Sequence, residues 1–168
     1  PPVKLVGGPF NEHSPSVSAD ARWLAYQSNE TGRSEVYARP LSGAEGRLQV
    51  SSAGATEPVW DKRSLTLYYL EAEGTRLHLV AASLRTAPAL AVVGRKVLLA
   101  DVRLEEVENH AQYDVDPSGT RFVMPEQAPT AGLGVIFDVA TSLRNAETHR
   151  KRGARETTYS GSVNTFNE

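Results

Sequence analysis

Cysteine is absent from this 168-residue chain, which excludes disulfides, thiolate metal sites and cysteine nucleophiles together. That absence leaves the compartment open, because secreted chains also lack cysteine. No apolar run approaches the roughly 18 residues of a membrane-spanning helix. Lys and Arg number 18 against 20 Asp and Glu, a formal net charge of −2. A balance this small supplies no global field to recruit nucleic acid or an acidic membrane. The opening stretch PPVKLVGGPF lacks a charged segment leading into an apolar one, so it is no signal peptide. It also lacks an initiator Met and reads as a processed end or the interior of a longer protein. HExxH, GxSxG and GxxxxGK[ST] are all missing, and with them the usual zinc, serine-nucleophile and phosphate-cradle motifs.

What is present is a repeat. PSVSADARWLAY starts at Pro15, PVWDKRSLTLYY at Pro58 and YDVDPSGTRFVM at Tyr113, so the spacings are 43 and 55 residues. Each reads as a short extended strand, a turn and an apolar strand. Strand-built repeats of roughly 40–50 residues point to propeller blades. In the first unit, strands are expected at 16–18, 22–28, 35–41 and 47–51, with Gly32 in a hairpin loop. In the second they are expected at 57–60, 65–70, 77–84 and 95–99, with Gly74 in the hairpin. In the third they are expected at 113–116, 121–124 and 134–137. A stray strand is expected at 3–6, ended by Gly7, Gly8 and Pro9.

Strand residues alternate between two faces. Trp23 and Ala25 share one face and Leu24 and Tyr26 the other; Leu67 and Tyr69 oppose Tyr68 and Leu70. Apolar residues on both faces mean that both are covered, as in a blade between two neighbours. Trp23, Trp60, Tyr68 and Tyr69 are therefore expected in the core between blades.

SPSVSADARWLAYQSNETGRSEVYARPL resembles the TolB-like, or WD40-like, β-propeller repeat of bacteria. EPVWDKRSLTLYYLEAEGTRLHLV looks like a second copy and YDVDPSGTRFVM like a third, so the resemblance covers roughly residues 3–124. The family turn, Pro-Asp-Gly, is Ala19-Asp20-Ala21 in the first copy and Lys62-Arg63-Ser64 in the second, and in the third Ser118 stands where Asp is usual. Ala resists the left-handed backbone that Gly accepts. The resemblance extends to the propeller that follows the kinase domain in some bacterial serine/threonine protein kinases.

The expected fold class is thus all-β: a partial β-propeller of two full four-stranded antiparallel blades plus most of a third. Residues 1–138 are read as the blades and 139–168 as a polar C-terminal tail, disordered or partly helical. Arg144, Arg150, Lys151, Arg152 and Arg155 make that tail the basic segment of the chain. Because the smallest closed propellers have about four blades, an open arc is expected, with two outer faces carrying Leu, Tyr and Trp. Self-association through those faces follows.

The resemblance implies a non-enzymatic module that binds a protein or small ligand, or acts as a sensor, at one propeller face, in a periplasmic or other extracytoplasmic location. The candidates at the channel mouth are the residues just ahead of the inner strands: Glu12, His13, Glu57, His110 and Gln112. No catalytic, cofactor or metal residue is assigned, and no nucleic-acid partner. His78, between Leu77 and Leu79, is read as solvated or held by hydrogen bonds. Asp114, Asp116 and Ser118 ahead of Gly119 read as a turn former, since the closing Glu of a calcium loop is missing. Glu105, Glu106 and Glu108 read as a solvated acidic loop. Two alternatives stand beside the binding module: the gating propeller of a prolyl oligopeptidase-like hydrolase, and a degenerate fragment without independent function.

Overall fold

A computed structural model describes residues 2, 4–42, 46–102, 112–124 and, for the backbone alone, 135–138. Among the described residues it contains eleven strands and no helix. The first blade is β1 (Glu12–Val17), β2 (Trp23–Ser28), β3 (Glu35–Pro40) and β4 (Leu48–Gln49), hydrogen-bonded in that order. The second is β5 (Ala55–Trp60), β6 (Thr66–Glu73), β7 (Arg76–Arg85) and β8 (Ala91–Val102), again in sequence order. The third holds β9 (Asp114–Val115), β10 (Arg121–Met124) and β11 (Val135–Asp138), with β10 in the middle. Every pairing is antiparallel. The chain is a partial β-propeller of two four-stranded blades and three strands of another.

The repeat in sequence is a repeat in hydrogen bonding. Ser18, Asp61 and Asp116 occupy one repeat position, immediately before the turn. Their backbone N–H groups donate to the carbonyls of Trp23, Thr66 and Arg121, each at 2.9 Å. The side chain at that position then accepts from the turn itself. Asp61 Oδ1 receives the N–H groups of Arg63 (2.8 Å) and Ser64 (2.7 Å). Ser18 Oγ receives that of Trp23 at 3.0 Å, and Asp116 Oδ1 those of Thr120 and Arg121, both at 3.2 Å. A side-chain acceptor ahead of the turn does what a Gly-rich turn sequence does elsewhere. Ala21 takes the left-handed conformation all the same, at φ 55°; Gly119 fills the same position of the third repeat at φ 72°.

The first two inner strands are longer than their sequence pattern suggests, while the third, expected at 113–116, is only Asp114–Val115. β1 begins at Glu12 because a bulge between His13 and Ser16, with Ser14 at φ 50°, lets pairing with β2 continue past the irregularity. β5 does the same between Thr56 and Val59, with Glu57 at φ 55°. β8 runs twelve residues rather than the five expected, through three register shifts against β7.

The expected strand at 3–6 is not one: Leu5 and Val6 lie in no strand, and Val3 is outside the described residues. The segment crosses the face of the first blade instead of pairing with an edge. Arg39 Nη1 donates to the Leu5 carbonyl at 2.7 Å, and Leu5 and Val6 pack on Leu24, Tyr26 and Tyr37. The outer face of the first blade is therefore not the bare Leu-and-Tyr surface the open arc implied. Residues 139–168, the expected tail, lie outside the described residues.

Two cores separate the three blades. Between the first and second, the small residues Ala25, Val36 and Ala38 meet Trp60, Leu67, Tyr69 and Val80. Between the second and third, Tyr68, Leu70 and Leu79 meet Tyr113, Val115 and Phe122. Tyr68 and Phe122 stand edge to face with ring centroids 4.9 Å apart. Trp60, Tyr68 and Tyr69 are buried as expected, whereas Trp23 is only partly so. Trp60 also donates its indole N–H to the Ser16 carbonyl of the first blade at 3.1 Å. A buried carboxylate closes the link between those blades: Glu35 accepts from Arg33 Nε at 2.7 Å, from the Gly54 N–H at 3.0 Å and from the Ser51 hydroxyl.

Truncation of Trp60 to Ala is expected to cost about 3–5 kcal/mol, read as a shift of the urea midpoint, since it empties the first core and unpairs Ser16. Ala21→Gly should stabilise by about 1 kcal/mol, because it relieves a left-handed Cβ in an exposed turn. Gly119→Ala should do the reverse by about 2 kcal/mol. There the new methyl would also stand 2.3 Å from Asp61 Oδ2. Thermal melts of the pair measure both.

Candidate functional site

Ser14, Glu57 and Gln112 share one repeat position in three successive blades, and in the first two that position lies in a bulge at the start of the inner strand. Glu57 is the best defined of them. Its carboxylate receives the Gln112 N–H at 2.6 Å, and its carbonyl receives the Tyr113 hydroxyl at 2.8 Å. Its own N–H points at Gln27 Oε1 of the first blade, 3.4 Å away, and Gln27 Nε2 donates in turn to Ser34 at 3.0 Å. One residue of the second blade thereby touches the first and the third. Its left-handed backbone makes this possible, turning carbonyl and side chain toward the third blade together.

Burial raises the Glu57 pKa above the usual carboxylate range, and the Gln112 N–H opposes that rise. Burial likewise raises Tyr113 well above the ordinary phenol value, with the nearby Glu57 charge adding to it. The turn carboxylates move the other way. The Ser18 hydroxyl and Arg22 hold Asp20 at about 2, and Ser118 and Arg121 hold Asp116 well below the carboxylate range. The segment around Asp116 is thus a turn whose carboxylate is fully engaged, with Arg121 Nε at 2.9 Å.

Of the sequence candidates, Glu57 and Gln112 are brought into contact. Glu12 and His13 are placed elsewhere, at the rim of a cleft of about 360 Å³ on the open side of the first blade. Pro15, Val17, Leu24, Tyr26 and Leu41 form its body, and Leu5 and Val6 bound it. His110 lies outside the described residues, as do Glu105, Glu106 and Glu108. His78 is held by hydrogen bonds: Nε2 lies 2.9 Å from Glu73 Oε2, and the Asp101 N–H donates to Nδ1 at 3.4 Å. Among the described residues, no group of three or more His, Asp or Glu is placed to hold a metal. Sequence reasoning missed Gln27, whose role depends on the bulge opposite it, and the cleft, whose walls come from segments far apart in the chain.

No protein-family profile matches the sequence. No curated protein sequence matches it either. Among solved structures, the chain is similar to a protein assigned as TolB from Agrobacterium tumefaciens, at 14% identity and a TM-score of 0.43, over 58% of this chain and 38% of that one. It is also similar to TolB from Acinetobacter baumannii, at 13% identity and a TM-score of 0.44, over 82% of this chain and 43% of that one. The chain spans about two fifths of the length of these structures.

Because the folded pKa of Glu57 is raised, the unfolded chain ionises first as pH rises. Stability from this group is present below the ordinary carboxylate pKa of about 4.3 and is lost as pH climbs to the folded value. Asp20 and Asp116 act below that window and with the opposite sign. Glu57→Gln is expected to flatten the pH dependence of the melting temperature above about pH 4.3. At neutral pH it should keep that temperature at or above the parent's, whereas Glu57→Ala should lower it. Thermal melts across a pH series check all three.

Proposed function

We propose that this chain is a non-enzymatic propeller module that binds a protein segment at the mouth formed by the starts of its inner strands, with Glu12, His13, Glu57, His110 and Gln112 around that mouth. One observation carries the reading: successive inner strands open with a left-handed bulge, at Ser14 and again at Glu57. A backbone conformation that L side chains rarely adopt, repeated at one repeat position, sets polar groups at one end of adjacent blades. The apolar cleft beside Glu12 and His13, on the open side of the first blade, gives a side chain of the partner a place. In this reading residues 1–138 are the binding domain and 139–168 a polar tail. The module works outside the cytoplasm, as a sensing part of a larger protein such as a receptor kinase. The resemblance of its repeat to TolB-like blades supports that setting.

The test is selection of displayed random peptides on the full chain, followed by calorimetry with the tightest binder. Glu12→Ala combined with His13→Ala is expected to weaken that peptide at least tenfold, about 1.4 kcal/mol, with the melting temperature unchanged. Peptides whose affinity ignores this double variant and also Glu57→Gln would place the binding surface elsewhere. Turnover of ester, peptide or ATP by the purified chain would replace a binding module with an enzyme.

A further inference from the structure

The repeat supplies its own control for what a blade requires. Residues 10–12 and 53–55 are equivalent, 43 apart, and lie just ahead of or at the start of an inner strand. Both segments make the same bond to the hairpin beside them. The Asn29 N–H donates to the Asn11 carbonyl at 3.4 Å, and the Ala72 N–H donates to the Gly54 carbonyl at 2.8 Å. The second repeat fills the two flanking positions with Ala53 and Ala55, the first with Phe10 and Glu12. A blade of this kind therefore needs neither a ring nor a carboxylate there.

Phe10 is 43% exposed and is the aromatic among the exposed large apolar side chains of the described residues. Ala53 is exposed too, with the first blade standing ahead of it, so a blade ahead of the first would leave position 10 accessible as well. The backbone beside the ring is fixed on both sides. The Asn11 N–H donates to Asn29 Oδ1 at 2.9 Å, in addition to the bond at its carbonyl. A ring held out on a fixed backbone gives up little freedom when a partner covers it. Ring and carboxylate border the same bare spot. A methyl built on Gly8, itself exposed, would stand 3.7 Å from Phe10 Cδ2 and 4.0 Å from Glu12 Oε1. Among the described residues, no Lys or Arg forms an ion pair with Glu12. An aromatic ring carries negative charge on its face, and a carboxylate next to it adds a full one. Such a pair attracts a cation.

We propose that Phe10 and Glu12 together receive a cationic side chain, lysine or arginine, of the protein segment bound at the mouth. This builds on the reading of the mouth as a segment-binding surface and adds the charge that the segment carries. Glu12 pairs with that charge, and the Phe10 ring covers it from the side. Phe10 joins the five mouth residues as the one that distinguishes a charged side chain from a neutral one of the same shape.

The probe is the tightest peptide selected on the full chain from displayed random peptides, measured by calorimetry. It should hold a Lys or Arg whose replacement by acetyl-lysine or citrulline, which removes the charge, weakens binding by about tenfold. Phe10→Ala should cost the charged peptide about fivefold more than it costs the neutral one. Phe10→Leu should bind the charged peptide no better than Phe10→Ala, and Phe10→Trp at least as well as the parent, because a ring rather than apolar bulk holds the cation. The melting temperatures of Phe10→Ala and Glu12→Ala should match the parent's, since alanines stand at 53 and 55. Binding that falls with His13→Ala or Glu57→Gln, but is indifferent to Phe10→Ala and to the peptide's charge, overturns the proposal and leaves the mouth as the binding surface. Parent-like affinity of Phe10→Leu, or an equal cost of Phe10→Ala to both peptides, overturns it too. A chain that selects no peptide overturns this assignment and the binding module together.

Discussion

The stack depends on one residue that touches all three blades. Glu57 offers its amide to Gln27 of the first blade, its carbonyl to the Tyr113 hydroxyl and its carboxylate to the Gln112 amide. Its backbone is left-handed, which costs of order 1–3 kcal/mol for a residue with a Cβ. The strain persists because the surroundings over-determine it, with the bulge in β5 fixed by pairing on both sides. Apolar packing holds the faces together, but packing alone has no direction. The Glu57 contacts give the third blade an orientation on the second.

Much of the fold was readable because it follows from local chemistry. Leu24, Tyr26, Leu67 and Tyr69 carry the period of two on both faces, and β10 lies at the very residues its pattern marked, Arg121–Met124. The turns were readable only in part. Ala21 and Ser64 stand where the family turn has Gly, yet Ser18 and Asp61 restore the turn from one repeat position upstream. What could not be read are arrangements that need the third dimension. The segment at Leu5 and Val6 has a strand's composition and no strand partner, because it covers a face. Among the site candidates, the pairing of Glu57 with Gln112 spans 55 residues. It is visible only once the second and third blades are stacked. Glu12 and His13 had the same sequence credentials as Glu57 and fall beside a cleft instead.

Two kinds of carboxylate serve the structure in opposite ways. Asp20 is exposed and Asp116 partly buried, and both are surrounded by donors and held in their charged form. They fasten turns and are cheap to ionise. Glu57 is enclosed and disfavours its charge. Glu35 shows the third solution, burial with a full set of donors from Arg33, Ser51 and Gly54. The chain thus keeps weakly satisfied charge for the blade junction near the mouth and fully satisfied charge for its scaffold.

The first core joins unlike surfaces, alanines and a valine on one side against Trp60, Leu67 and Tyr69 on the other. The forward face of the second blade carries Tyr68, Leu70 and Leu79 where the first carries small residues. A gene that duplicated the second blade in tandem would set those bulky side chains against Trp60 and Tyr69, and overpacking of that kind forces rotamers and backbone apart. The blades share a hydrogen-bonding plan but not a volume. They cannot be shuffled or copied like beads, and the lineage of such a repeat can lengthen only where a new blade arrives with faces already matched to its neighbours.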